Sequence, residues 1–322
     1  MQNDKKLRIS VAQNRKSLKW FTEELNWSDF ITKISKPIRT TETYEQFIKM
    51  KKSQQDELKD VGGFVAGELK DGRRKAENVL NRCLISLDAD HIASGQTNKI
   101  LGLLSGLGCA YAVYSTRKHC SDKPRLRIII PTDRILKPDE YEPIARKIAS
   151  FVGMEILDSS TFEASRLMYW PSCSKDSEFV FKYEDKLFAS ADGILRMYKD
   201  WKDINEWPKI PSESEIIKTE ITKQKDPLEK DGIIGAFCRV YDIYNAIATF
   251  LPDVYEQGDK PDKFTYRQGS VANGATIYGN GKWLYSFHET DPASRTLCNS
   301  FDLVRIHKFK SLDDEAQPGT PT

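Results

Sequence analysis

The residues best placed to do chemistry end a short apolar run, Cys83-Leu84-Ile85-Ser86-Leu87-Asp88-Ala89-Asp90-His91. Side chains alternate faces along a strand, so Asp88 and Asp90 point to the same side. Two carboxylates held together repel each other, and a cation between them removes the repulsion. Hard oxygen ligands suit Mg²⁺ or Mn²⁺. The plainer reading is a strand running into a turn, where Asp is common.

Two further stretches add to this pair. The loop Ser115-Thr116-Arg117-Lys118-His119-Cys120-Ser121-Asp122-Lys123-Pro124-Arg125 joins two apolar runs. Loops at strand ends gather binding residues. Arginine forks match phosphate oxygens, and a metal held by the acids would bridge the same anion, so a triphosphate is the fitting target. A charged hairpin loop with a surface histidine is the alternative. Downstream, Leu157-Asp158 brings a third acid, trailed by Arg166. Alone, Asp158 reads as a cap. With the pair it completes a site for two ions, about 3.5–4 Å apart.

Other stretches carry weaker chemistry. Gly62-Gly63-Phe64-Val65-Ala66-Gly67 lacks the GxxxxGK[ST] order and is no P-loop. Asp71-Gly72-Arg73-Arg74-Lys75 is either a solvated corner or a phosphate contact. Lys16, Lys19, Trp20, Phe21 and Trp27 read as amphipathic helices packing, with nucleic-acid contact as the other use. No spacing supports a metal role for His288, Asp291 and His307.

Elements must position these residues. A length of 322 residues favours two domains. With 39% hydrophobic and 30% charged residues the chain can bury a core and stay in solution. A formal charge of +2 names no partner, so local basic clusters must carry any nucleic-acid argument. The six cysteines form no CxxC pair, which argues against a zinc ribbon and fits free thiols in a cytosolic protein. No secretory leader opens the chain and no apolar run could span a bilayer, so no membrane partner is expected. The patterning predicts strands over 7–12, 62–67, 83–88, 109–115, 126–131 and 179–183, with helices over 44–58, 97–107 and 139–151. That alternation gives an α/β or α+β first domain over 1–199. Residues 200–225 read as a linker, and 226–310 as a small second domain with a helix over 232–250 and short aromatic strands. Residues 311–322 read as a disordered tail.

With these residues in place, the chain resembles the archaeo-eukaryotic primase superfamily. In particular it resembles the primase-polymerases of phages and mobile elements that precede a helicase of the virulence-associated-E type. Leu87-Asp88-Ala89-Asp90 matches the family's acidic pair, and Leu157-Asp158 its hydrophobic-plus-Asp motif. Ser115 and His119 stand for the serine–histidine element, four apart where the family's short form has two. The resemblance implies an α+β fold with an RRM-like, mixed or antiparallel catalytic sheet flanked by helices, plus a small mostly helical C-terminal domain. It implies a DNA primase-polymerase that makes primers on single-stranded DNA for replication in the bacterial cytosol or nucleoid. Two Mg²⁺ or Mn²⁺ ions would sit on Asp88, Asp90 and Asp158. His119 would join the catalytic set, and Ser115, Arg117, Lys118, His119, Arg125, Arg127 and Arg166 would hold the NTP or dNTP. An AAA+ replicative helicase, fused or separate, is the implied partner. A metal-dependent nuclease or relaxase-like initiator could use the same acids, and a non-catalytic DNA-binding or helicase-loading module needs none of them. The four scattered histidines disfavour a relaxase.

Overall fold

In the computed structural model, residues 1–211 and 213–315 are described. The described chain divides into two units, Met1–Lys199 with Trp207–Pro211, and Asp200–Glu206 with residues 213–315. Each has its own apolar core.

The first unit holds β1 Lys6–Ala12, β2 Phe21–Asn26, α1 Trp27–Ile34, β3 Ile38–Arg39, α2 Tyr44–Lys49, α3 Lys52–Lys59, β4 Gly63–Val65 and β5 Arg82–Ala89. It continues with α4 Thr97–Gly106, β6 Tyr111–Ser115, β7 Leu126–Leu136, α5 Pro138–Val152, β8 Met168–Tyr169, β9 Ser172–Cys173, β10 Phe181–Glu184 and α6 Ala191–Leu195. Two four-stranded sheets result, ordered β2-β1-β4-β8 and β10-β6-β7-β5. Both are antiparallel throughout. The second follows the succession β5-α4-β6-β7-α5-β10, a βαββαβ unit. The fold is therefore α+β.

Local chemistry accounts for these elements. β1 alternates, with Leu7 and Ile9 buried and Lys6 and Arg8 turned outward. β5 is buried along its whole length although it ends the sheet order. Its free edge is closed by the chain around Leu157, through an Ala89–Leu157 bridge and an Asp158 N–H to Asp88 carbonyl bond of 2.9 Å. Closing the edge this way also sets the third aspartate beside the first. Gly67 marks a close backbone approach: a Cβ there would lie 1.9 Å from the Asn81 carbonyl oxygen.

Several segments differ from their sequence patterns. Residues 16–27 supply a strand, not a pair of helices. β2 pairs with β1 from Lys6↔Asn26 to Val11↔Phe21, and the ladder overrides the helical pattern. The 44–58 helix breaks at Met50–Lys51, where the Gln55 side-chain amide donates to the carbonyls of Ile48 and Met50. The 200–225 stretch, read as a linker, contains a helix.

That helix is α7 Glu213–Lys223, in the second unit. After it come α8 Gly232–Val240, α9 Ile243–Phe250, β11 Tyr255–Gln257, β12 Lys263–Tyr266, β13 Ala275–Tyr278, β14 Trp283–Ser286, β15 Leu297–Cys298, α10 Ser300–Lys308 and α11 Lys310–Glu315. The expected 232–250 helix is split because the Asp242 carboxylate caps a new start at the Asn245 N–H. The strands form one antiparallel sheet in chain order. α11 occupies the start of the expected tail, and 316–322 lie outside the described residues. Asp291 and His307 do meet in the interior. The Tyr255 hydroxyl donates to Asp291 at 2.7 Å and lies 2.9 Å from His307 Nε2. Burial works to raise the Asp291 pKa, but bonds from His307, Ser286 and Tyr255 hold it below the usual carboxylate value. Among the described residues this trio is not part of a metal-binding set.

Candidate active site

The sheet's pairing register builds the centre of the site. Asp88 on β5 lies opposite Arg127 on β7, which lies opposite Tyr114 on β6. Directly opposed residues share a face, so the three form one row. The Arg127 fork closes on Asp88, with Nε to Oδ1 at 2.6 Å and Nη2 to Oδ2 at 3.2 Å. Its Nη1 donates to the Tyr169 carbonyl at 2.7 Å and the Tyr114 hydroxyl at 3.3 Å. Arg127 is buried, and Asp88 keeps its charge in place against the penalty of burial. Thr161 secures the strand below: its hydroxyl accepts the Asp88 N–H at 2.8 Å and donates to the Ser86 carbonyl at 3.2 Å.

Asp88, Asp90 and Asp158 line one cavity of about 250 Å³. Each faces an arginine. Asp90 meets Arg125 at 2.7 Å, and Asp158 lies 3.6 Å from Arg166. Burial, reinforced by the nearby Asp88 carboxylate, raises the Asp90 pKa despite Arg125. For Asp158 burial works upward too, but the Ser160 hydroxyl and N–H, with Arg166, bring it below the usual value. Lys118 also lines this cavity, and its pKa is lowered by burial and by the neighbouring cations Lys52 and Arg125. Cations outnumber carboxylates around the wall. A polyanion entering there relieves the crowding of positive charge.

The other nominated residues are used differently. Ser115 is buried, and its hydroxyl accepts the Val180 N–H at 2.9 Å. Arg117 touches the cavity, but its buried guanidinium pairs with Glu42, donates to Thr40 at 2.6 Å and lies over the Phe47 ring. His119 is buried and outside the cavity wall, with Nδ1 accepting the Arg125 N–H at 3.1 Å. Burial pushes its pKa down, consistent with a neutral ring accepting that bond. Ser115, Arg117 and His119 thus shape the loop that presents Lys118 and Arg125. Arg127, with its donors committed, holds Asp88.

The sequence reading missed the α3 wall. Lys52, Gln55, Asp56 and Lys59 all line the cavity, at the three- and four-residue spacing of one helix face. Lys59 lies over the Tyr169 ring at 4.8 Å, and burial with Arg127 nearby lowers its pKa. That spacing was present in the sequence as the available signal.

Among the described residues no three His, Cys, Asp or Glu side chains stand gathered as a metal-binding set. The three aspartates are turned to their arginines instead. The donor chemistry nonetheless fits a hard divalent cation: three carboxylates reach one cavity from adjoining backbone.

The family model described as the VapE N-terminal domain matches residues 1–210. The chain belongs to the VapE N-terminal domain family. In this VapE N-terminal region lie the cavity, all three aspartates and their arginines. Among solved structures, the AEP domain of the cyanophage S-2L primase-polymerase is similar at 12% identity, over 59% of this chain and 86% of that one, with a TM-score of 0.32. So distant a likeness assigns neither activity nor residues. No curated protein matches the chain.

Proposed function

We propose that this chain is a DNA primase-polymerase of a phage or mobile element. It joins NTPs or dNTPs into primers on a single-stranded DNA template. The observation that carries the reading is the convergence of Asp88, Asp90 and Asp158 in a cavity in whose wall cations outnumber carboxylates. Membership of the VapE N-terminal domain family supports it and makes an AAA+ replicative helicase, fused or separate, the fitting partner.

In this reading a 3′-hydroxyl attacks the α-phosphate of an incoming nucleotide and pyrophosphate leaves. Asp88, Asp90 and Asp158 would hold two Mg²⁺ or Mn²⁺ ions, which when bound supply activation of the hydroxyl and neutralisation of the leaving group. Lys59, Lys118, Arg125 and Arg166 grip triphosphate oxygens and offset charge that grows during transfer. Arg127 keeps Asp88 oriented. His119 keeps the Arg125 backbone in place.

The test is synthesis on unprimed single-stranded DNA with labelled NTPs and dNTPs, and Asp90→Asn as control. Metal-dependent oligonucleotides that vanish in the variant support the reading. Extension from an added primer alone means a polymerase that does not initiate by itself. No synthesis with strand binding intact removes the enzyme and leaves a binding module.

A further inference from the structure

A second groove, of about 510 Å³, lies next to the cavity and shares one wall residue with it, Trp170. Gln13, Lys19, Phe21, Lys33 and Gly62 also line it. Two of its features are unusual for a soluble surface. Phe21 is 62% exposed, and Leu18, before it in the chain and outside the groove wall, is 76% exposed. Each groove aromatic also carries a cation, with Lys19 Nζ 5.6 Å from the Phe21 ring centre and Lys33 Nζ 4.1 Å from that of Trp170.

A basic run joins the groove to the cavity. The Trp20 N–H donates to the Gly72 carbonyl at 2.8 Å, docking the 70–75 turn against the start of β2. The Arg74 guanidinium lies over the Trp20 ring at 5.6 Å and donates to the Ser165 carbonyl at 3.4 Å, next to cavity residue Arg166. Burial and Arg166 both lower the Arg74 pKa. The acid in the groove wall is Glu23, paired with Lys33 at 3.4 Å, and Glu163 acts on Arg74 along the run.

Phe21 is the exposed ring here, Trp170 is half-buried and Trp20 buried, and cations set beside an exposed ring fit a polyanion whose flat groups are unstacked. A duplex hides those groups, and an apolar protein partner has no use for the cations. We propose that this groove carries single-stranded nucleic acid leaving the cavity, with a base stacked on Phe21 and phosphates on Lys19 and Arg74. The proposal rests on the template-directed reading above and names the path of its template.

Fluorescence anisotropy with a labelled oligothymidylate on the full chain tests it. Phe21→Ala should raise Kd at least about fivefold, the lower end of a lost base–aromatic stack. Lys19→Ala should flatten the log–log salt slope by about 0.7, the loss of one single-strand phosphate contact. Phe151→Ala, at another exposed phenylalanine, should change neither. Circular dichroism and Tm confirm that the variants fold. Wild-type binding that both groove substitutions leave unchanged would overturn the proposal. So would a concentration-dependent mass that falls in Phe21→Ala, which gives the surface to a second copy of the chain. A wild-type chain that does not bind the strand overturns track and polymerase together. Strand binding lost in the groove variants, with no product from the wild type, sinks the polymerase and supports the track.

Discussion

Removing the Asp88 carboxylate leaves the Arg127 guanidinium buried without its anion. Breaking a buried pair on one side costs about 3–5 kcal/mol, so Asp88→Asn should lower Tm sharply as well as end synthesis. Asp90 differs. Its pair with Arg125 is 26–30% exposed, and such pairs contribute about 1 kcal/mol or less. Asp90→Asn should keep Tm within a few degrees while synthesis falls at least about a hundredfold. An active Asp90→Asn enzyme removes that residue from the reacting centre. His119 makes a pH prediction. Its folded pKa lies below the unfolded value of about 6.5, so the unfolded state binds the extra proton first. The stability it contributes is present above that unfolded value and is lost as pH falls toward the folded one. His119→Ala should therefore show a shallower fall in Tm than the wild type between pH 7 and pH 5; parallel curves would disprove the neutral role. Strand alternation sufficed to place Asp88 and Asp90 on one face. It gave no hint of where the His119 ring turns, because in a loop that direction is set by a partner, here the Arg125 N–H.

At the scale of elements, α3 carries the part of the site that sequence reading passed over. Residues 44–58 read as one continuous helix, and the chain instead starts a second one at Lys52. The break at Met50–Lys51 is held by local side-chain bonds from Gln55. Gln55→Ala loses both bonds and should destabilise by about 1–2 kcal/mol. It should also raise nucleotide KM, since Lys52 and Lys59 lose their bearing. Lys59→Gln should raise KM with little change in Tm. An unchanged KM in both variants would take α3 out of the nucleotide site. β2 was hidden for a similar reason: Phe21-Thr22-Glu23-Glu24-Leu25-Asn26 has no strong alternation, and its strand exists because β1 offers a partner. β1 was legible because burial of one face matches its own period.

On the scale of the whole molecule, two separate cores predict two transitions in calorimetry. A single cooperative transition would contradict that. Strand binding should weaken linearly with log salt, and a flat line would exclude phosphate contacts. Net charge concealed this because the +2 total averages a cationic cavity wall against acids elsewhere. The cavity's three aspartates have a last consequence. Each already has a counter-charge from its own chain. A protein so neutralised does not depend on an added ion to stay folded. EDTA should leave Tm unmoved, and the chain should survive purification and storage in chelator, with activity restored by resupplying Mg²⁺ or Mn²⁺ alone.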